Sequence, residues 1–194
     1  MRNLILISLS ILMITCVATP DSKVNKSIHV PNGDTRNDDL STVNGSIVVG
    51  ARATVKGNVS TVNGRIEIGK NADVHDVSSV NGSIAIGEEA KVREVSVVNG
   101  SIVLSKGTRA NGEVSTVNGS IEANAGVRIE GEVSTVNGSI ELDNTRVREM
   151  LSTVNGDISL YNASLVEGDI RNSAGGRTQQ PGQRQVIMRV GDRL

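Results

Sequence analysis

A single spacing governs this chain. The asparagines of a recurring Ser-Thr-Val-Asn-Gly-Ser-Ile segment fall at Asn44, Asn63, Asn81, Asn99, Asn118, Asn137 and Asn155, separated by 19, 18, 18, 19, 19 and 18 residues. Upstream, Val24-Asn25-Lys26-Ser27-Ile28-His29-Val30 keeps the Val, Asn, Ser and Ile positions and loses only the glycine, so it reads as an eighth, degenerate copy. A fixed period of this kind marks a repeat architecture, in which each unit buries its apolar face by stacking on its neighbours.

The apolar positions inside one copy decide which architecture. Ile66, Ile68, Ala72, Val74, Val77 and Val80 advance by 2, 4, 2, 3 and 3 residues, and 4 more reach Ile84. Steps of two place both side chains on one face of a strand, and the longer steps are corners. Helical repeats use 20 to 45 residues per unit and a helical apolar period, which this chain lacks. The spacing therefore predicts an all-β fold: a single-stranded parallel β-helix (β-solenoid) of about eight coils of 18–19 residues. It is expected to be right-handed, from the crossover preference of parallel strands, and roughly 38 Å long at the usual strand spacing.

The motif has a role in such a coil. Asn-Gly is expected at a corner where the backbone visits positive φ. Stacked asparagines at Asn25, Asn44, Asn63, Asn81, Asn99, Asn118, Asn137 and Asn155 would form a hydrogen-bonded ladder. The isoleucines from Ile47 to Ile158 would form a core column, and the Ser/Thr pair would send one hydroxyl to the corner and one to solvent. The extra residue of longer coils falls at a glycine corner, as in Lys56-Gly57-Asn58-Val59, Asn111-Gly112-Glu113-Val114 and Glu130-Gly131-Glu132-Val133, against His75-Asp76-Val77 and Arg93-Glu94-Val95. A loop absorbs that residue, whereas a slip within a strand would turn its apolar side outward.

Outside the repeats, Met1-Arg2-Asn3 precedes the apolar run Leu4 to Met13 and small or weakly polar residues follow, the layout of a secretory signal peptide over residues 1–18. Two processing routes fit: cleavage after Ala18, or a lipobox Met13-Ile14-Thr15-Cys16 in which Cys16 is lipidated. Residues 19–23 form a short N-terminal segment and 24–171 the solenoid. Within it, 24–40 is a degenerate capping coil whose polar stretch Pro31 to Asp39 replaces apolar positions. Residues 172–194 are a linker, with Gln185 to Val190 as a candidate capping strand. Cys16 is the lone cysteine, so no internal disulfide forms. A net charge of −1 and a single aromatic residue, Tyr161, argue against a nucleic-acid partner.

With these residues in view, the chain resembles a group of bacterial exported proteins carrying TVNGSI repeats, akin to adhesin-type β-strand repeat proteins and to the bactofilin (polymer-forming) solenoids. The resemblance covers about residues 24–171. It implies a solenoid of the cell envelope with a structural or adhesive role; the signal peptide separates this chain from the cytosolic bactofilins.

Each candidate site has a plainer reading beside it. Lys91, Arg109, Arg128 and Arg146 align at one outward position of successive coils, with Arg93 and Arg148 two residues along. Glu113, Glu130, Glu132 and Glu149 would neutralise this stripe as a solvated lattice; alternatively the stripe docks an anionic envelope polymer or lipid head group. Glu122 and Glu141 stack near the spacing of a retaining glycosidase pair, but without a cleft or aromatic platform they read as a solvated pair. His29 and His75 lie too far apart to build a metal or catalytic constellation. The row Thr42, Thr61, Ser79, Val97, Thr116, Thr135 and Thr153 suggests a lattice-matching face for ice or crystal surfaces, interrupted in its middle. Asn-Gly-Ser also matches a glycosylation sequon, yet the asparagine persists at Asn63 and Asn155 where the sequon fails. The expectation is a non-enzymatic, exported structural or adhesin-like solenoid of the periplasm, envelope or exterior, with no cofactor and no metal. It would be a monomer or small homo-oligomer, membrane-tethered if Cys16 is lipidated, and the alternative is a binding module for an anionic polymer or membrane surface.

Overall fold

The computed structural model describes residues 22–173 and 177–179. The signal peptide, Cys16 and Gln185 to Val190 lie outside them. The described residues form three parallel sheets and no helix, a β-solenoid of about eight turns. One coil comprises Val77–Asn81 on sheet A, Ile84–Ile86 on sheet B and Lys91–Val92 on sheet C. Each strand pairs in parallel with its counterparts one coil above and below: Asn81 with Asn63 and Asn99, Ile84 with Ile66 and Ile102, Lys91 with Asp73 and Arg109.

The core is a set of like-on-like columns. Ile47, Ile66, Ile84, Ile102, Ile121, Ile140 and Ile158 are fully buried on sheet B, and Val55, Val74, Val92, Ala110, Ile129, Val147 and Val166 face them from sheet C. Burying each isoleucine contributes roughly 1.5–3 kcal/mol. Ala53, Ala72, Ala90, Thr108, Val127, Thr145 and Ser164 fill the narrow corner between those sheets.

Sheet A corrects two expectations. Its five-residue strands alternate strictly, so Val77 and Ser79 point inward and Val80 outward; the step of three from Val77 to Val80 changes face. Val80 stands with Val43, Val62, Val98, Val117, Val136 and Val154 in a half-buried outward column, outside the core. The second hydroxyl row is the inward one. Thr42, Thr61, Thr116, Thr135 and Thr153 are at most 4% exposed. Their hydroxyls donate to the carbonyls of Lys26, Gly45, Gly100, Gly119 and Gly138 at 2.9–3.2 Å. The threonines thus satisfy corner carbonyls and present no lattice to an external crystal surface.

The reason for glycine in Asn-Gly is also corrected. The motif asparagines from Asn44 to Asn155 do not take positive φ, whereas Asn25, in the copy without glycine, does (56°); of the motif glycines, Gly82 (157°) and Gly100 (155°) have positive φ and the others do not. The glycines are required for space. A Cβ on Gly64, Gly119, Gly138 or Gly156 would lie 2.0 Å from the carbonyl oxygen of the glycine one coil earlier. Left-handed backbone occupies a different corner, between sheets B and C. There Gly33, Arg52, Asn71, Glu89, Gly107, Gly126, Asn144 and Asn162, one per coil, have φ between 43° and 80°.

Length variation is split as well. The turn from sheet C to sheet A holds three residues at 56–58, 111–113 and 130–132 and two at 75–76 and 93–94, as the glycine corners suggest. The interval from Asn137 to Asn155 keeps a three-residue turn at 148–150 and is shortened instead at the left-handed corner around Asn144. At the ends, Thr35–Arg36 continues sheet C with Arg36 in register with Val55, its guanidinium paired with Asp34. Thr178–Gln179 pairs with the Ile158 strand of the last full coil.

These columns predict two opposite outcomes. Val97, 3% exposed, occupies the threonine row and leaves the Gly82 carbonyl without the hydroxyl its homologous carbonyls receive among the described residues. The near-isosteric Val97→Thr should raise stability by about 0.5–1.5 kcal/mol in chemical denaturation. Gly119→Ala should lower it by about 3 kcal/mol or more, because neither backbone can yield.

Candidate functional site

The most distinctive chemistry lies on the outer surface of sheet C. Its strands are two residues long, the first side chain outward and the second inward, and the next residue points out again at the turn. This alternation puts Lys91, Arg109, Arg128 and Arg146 outside Val92, Ala110, Ile129 and Val147. The strand register aligns them: Lys91 pairs with Arg109, Arg109 with Arg128 and Arg128 with Arg146. All four are exposed, on rungs about 4.8 Å apart. Asp73 precedes this column and Leu165 follows it. A second column beside it runs Lys56, His75, Arg93, Asn111, Glu130, Arg148 and Glu167.

Three acids reach the two columns. Arg93 donates to Asp76, Arg146 to Glu167, and Arg148 to Glu130 at 3.0 Å. The Asp76 carboxylate raises the Arg93 pKa and the Glu130 carboxylate raises that of Arg148, mainly through these hydrogen bonds. Both arginines stay cationic across the physiological range. The expected neutralising lattice is therefore only partly built: Glu130 joins it, while Glu113, Glu132 and Glu149 make no ion pair with the stripe among the described residues. Lys91, Arg109 and Arg128, on three consecutive rungs, likewise make no ion pair among the described residues.

A shallow groove of 520 Å³ lies over the N-terminal part of this face, lined by Lys56, His75, Lys91, Arg93 and Asn111 with Asp73 at its wall. The stripe was legible by aligning repeats, but Lys56, His75 and Asn111 were missed. They sit one residue past the inward valine or alanine of each coil, and the same alignment exposes them.

The other faces differ sharply. Sheet B turns His29, Val48, Glu67, Ala85, Val103, Glu122, Glu141 and Ser159 outward, with acids but neither lysine nor arginine. Glu122 and Glu141 are in register and exposed there. Sheet A presents serine and valine columns edged by the asparagine ladder. In that ladder each Asn Nδ2 donates to the Oδ1 one coil earlier at 2.6–2.9 Å, from Asn44 onto Asn25 through Asn155 onto Asn137. Among the described residues no three His, Cys, Asp or Glu side chains cluster to hold a metal ion; His29 lies on sheet B and His75 in the turn that follows the sheet C strand of its coil.

Comparison with protein-family models, curated proteins and solved structures finds no match to this chain.

A column of acids separates the basic face from sheet A. Asp76, Glu94, Glu113 and Glu132 each stand immediately before the sheet A strand of successive coils. Burial raises the Glu113 pKa, a hydrogen bond with Ser115 opposes it, and repulsion from Glu132 and Glu94 adds to the rise. A carboxyl raised in the folded state favours the protonated fold, and that contribution is lost as pH climbs through the folded pKa. Glu113→Gln should accordingly raise the melting temperature at pH 7. The advantage should shrink as pH falls through the raised folded value and be gone near the ordinary carboxyl value of about 4.3, in melting curves of both proteins across pH 4–8.

Proposed function

We propose that the protein is an exported, non-enzymatic envelope rod whose basic face holds an anionic polymer lying along the coil axis. The observation that carries this reading is the run Lys91, Arg109 and Arg128, in register on three consecutive rungs and making no ion pair among the described residues, in a chain whose formal net charge is only −1. The two sheet C columns together hold seven Lys/Arg and three Asp/Glu, while sheet B collects acids. Charge is sorted by face, not spread.

A linear array on rungs about 4.8 Å apart suits a ligand that is itself linear and repeats its charge. Arginine, dominant here, bonds phosphate, sulfate or carboxylate oxygens in bidentate fashion. The flat, open surface offers many weak contacts in series, the arrangement of an adhesive or scaffolding element. The apolar run Leu4 to Met13 supports export, and Cys16 would hold the rod at a membrane if lipidated.

Retention of the full mature chain on immobilised polyphosphate tests this. The wild type should be retained at low salt and elute as ionic strength rises. Arg109→Ala/Arg128→Ala should elute markedly earlier with melting temperature nearly unchanged, since exposed unpaired cations contribute little to folding. Equal retention of both proteins would refute the face assignment, and binding restricted to anionic vesicles would favour the lipid head group over the polymer.

A further inference from the structure

Nine Asn-Gly pairs occur in this chain, at Asn32, Asn44, Asn63, Asn81, Asn99, Asn111, Asn118, Asn137 and Asn155. Asn-Gly is the dipeptide most prone to spontaneous deamidation, because glycine leaves the following backbone nitrogen unhindered. The fold treats the pairs unequally. In the six ladder pairs from Asn44-Gly45 to Asn137-Gly138 the asparagine amide is held by its neighbours, and each glycine N–H donates to the asparagine carbonyl of the next coil at 2.9–3.1 Å. At Asn32 the side-chain oxygen accepts from Ala51 N–H and Gly33 N–H donates to the Ala51 carbonyl. Asn111-Gly112 differs from these seven. Asn111 is exposed, and among the described residues neither its side-chain amide nor the Gly112 N–H makes a hydrogen bond.

We propose that Asn111 is a spontaneous modification site that converts part of the basic face to negative charge as the protein ages. The Gly112 nitrogen, losing its proton, attacks Cγ of Asn111. An N–Cγ bond forms, the Cγ–Nδ2 bond breaks, and the proton leaves with the amide nitrogen as ammonia. Water then opens the succinimide to aspartate or isoaspartate, with no redox change. Asn111 follows Arg93 and precedes Glu130 in its column and lines the cationic groove. A carboxylate there would stand two residues from Arg109 and one rung from Arg93, within reach to compete with a bound polyanion. The site itself rests on hydrogen bonding alone; its effect on binding rests on the function proposed above.

Purified mature protein held for days at 37 °C and pH 8 is mapped by peptide mass spectrometry, then compared with fresh protein on polyphosphate. The expected result is a gain of one mass unit at Asn111 at least several-fold faster than at any of the six ladder pairs, with earlier elution of the aged protein. Asn111→Gln should show no such difference between its fresh and aged forms. In denaturant all these pairs should react at similar rates. Ladder modification in the folded protein as fast as at Asn111 would overturn the site. Selective modification with unchanged retention would uphold the site and overturn the basic-face reading.

Discussion

Each strand residue of the inner coils has a counterpart about 4.8 Å away on the neighbouring coil, and the structure depends on what each residue type does beside a copy of itself. Isoleucine beside isoleucine is a dry column. Asparagine beside asparagine is a donor and an acceptor in register, so one amide satisfies the next along the whole length. Glycine beside glycine lets two backbones approach so closely that a methyl group would overlap a carbonyl oxygen. These three columns are adjacent in sequence because they solve one corner together. The glycine carbonyl brought inward there is then met by the threonine hydroxyl 16 residues later, at Gly45 and Thr61 or at Gly100 and Thr116.

The same rule limits what the corners tolerate. At the left-handed corner the column mixes Gly, Asn, Arg and Glu. The left-handed conformation costs roughly 1–2 kcal/mol for residues with a Cβ, and Asn71, Asn144 and Asn162 lower that cost where Arg52 and Glu89 do not. No single residue type is imposed, because this corner lets side chains point away and leaves room between coils: a Cβ on Gly126 would meet nothing closer than 3.8 Å. The Asn-Gly corner has no such freedom, and its sequence hardly varies.

This difference explains what could be read from the sequence. The period, the three-strand coil, the isoleucine column and the asparagine ladder are fixed by residue identity recurring at one spacing, and all were legible. The reason for Asn-Gly was misread because conformational and steric demands for glycine leave the same trace in a sequence. The step from Val77 to Val80 was misread as a corner because a valine on a flat outward sheet looks like a valine inside. That one hydroxyl of each Ser/Thr pair turns to the corner was legible, but which one was not, because only the fold shows the corner carbonyl that the threonine meets. The alignment of Lys91, Arg109, Arg128 and Arg146 was legible for the same reason as the ladder, and so was Glu130, which meets Arg148 one rung along its own column. Asp76 and Glu167 were not, because they reach Arg93 and Arg146 from other columns, at offsets that depend on side-chain reach and not on the repeat.

For charged residues like-on-like stacking is unfavourable. Two cations one rung apart repel by about 1 kcal/mol in water before screening, and a column of them adds that penalty along its length. The rod has two ways to relieve it, and sheet C shows both: an acid, from an adjacent column at Arg93 and Arg146 or one rung away in the same column at Arg148, or an interruption of the column, as at Asp73 and Leu165. Among the described residues Arg109 and Arg128 have neither, and Lys91 has only Asp73 on the rung before it, with no ion pair. Their heads extend into solvent on long stems, which keeps the penalty small enough for the fold to carry, and leaves the charge undiminished for whatever approaches from outside. An anion laid along the column would add an attraction at every rung against these repulsions, which is why the proposed polyanion is placed on the part of the surface least optimised for the fold.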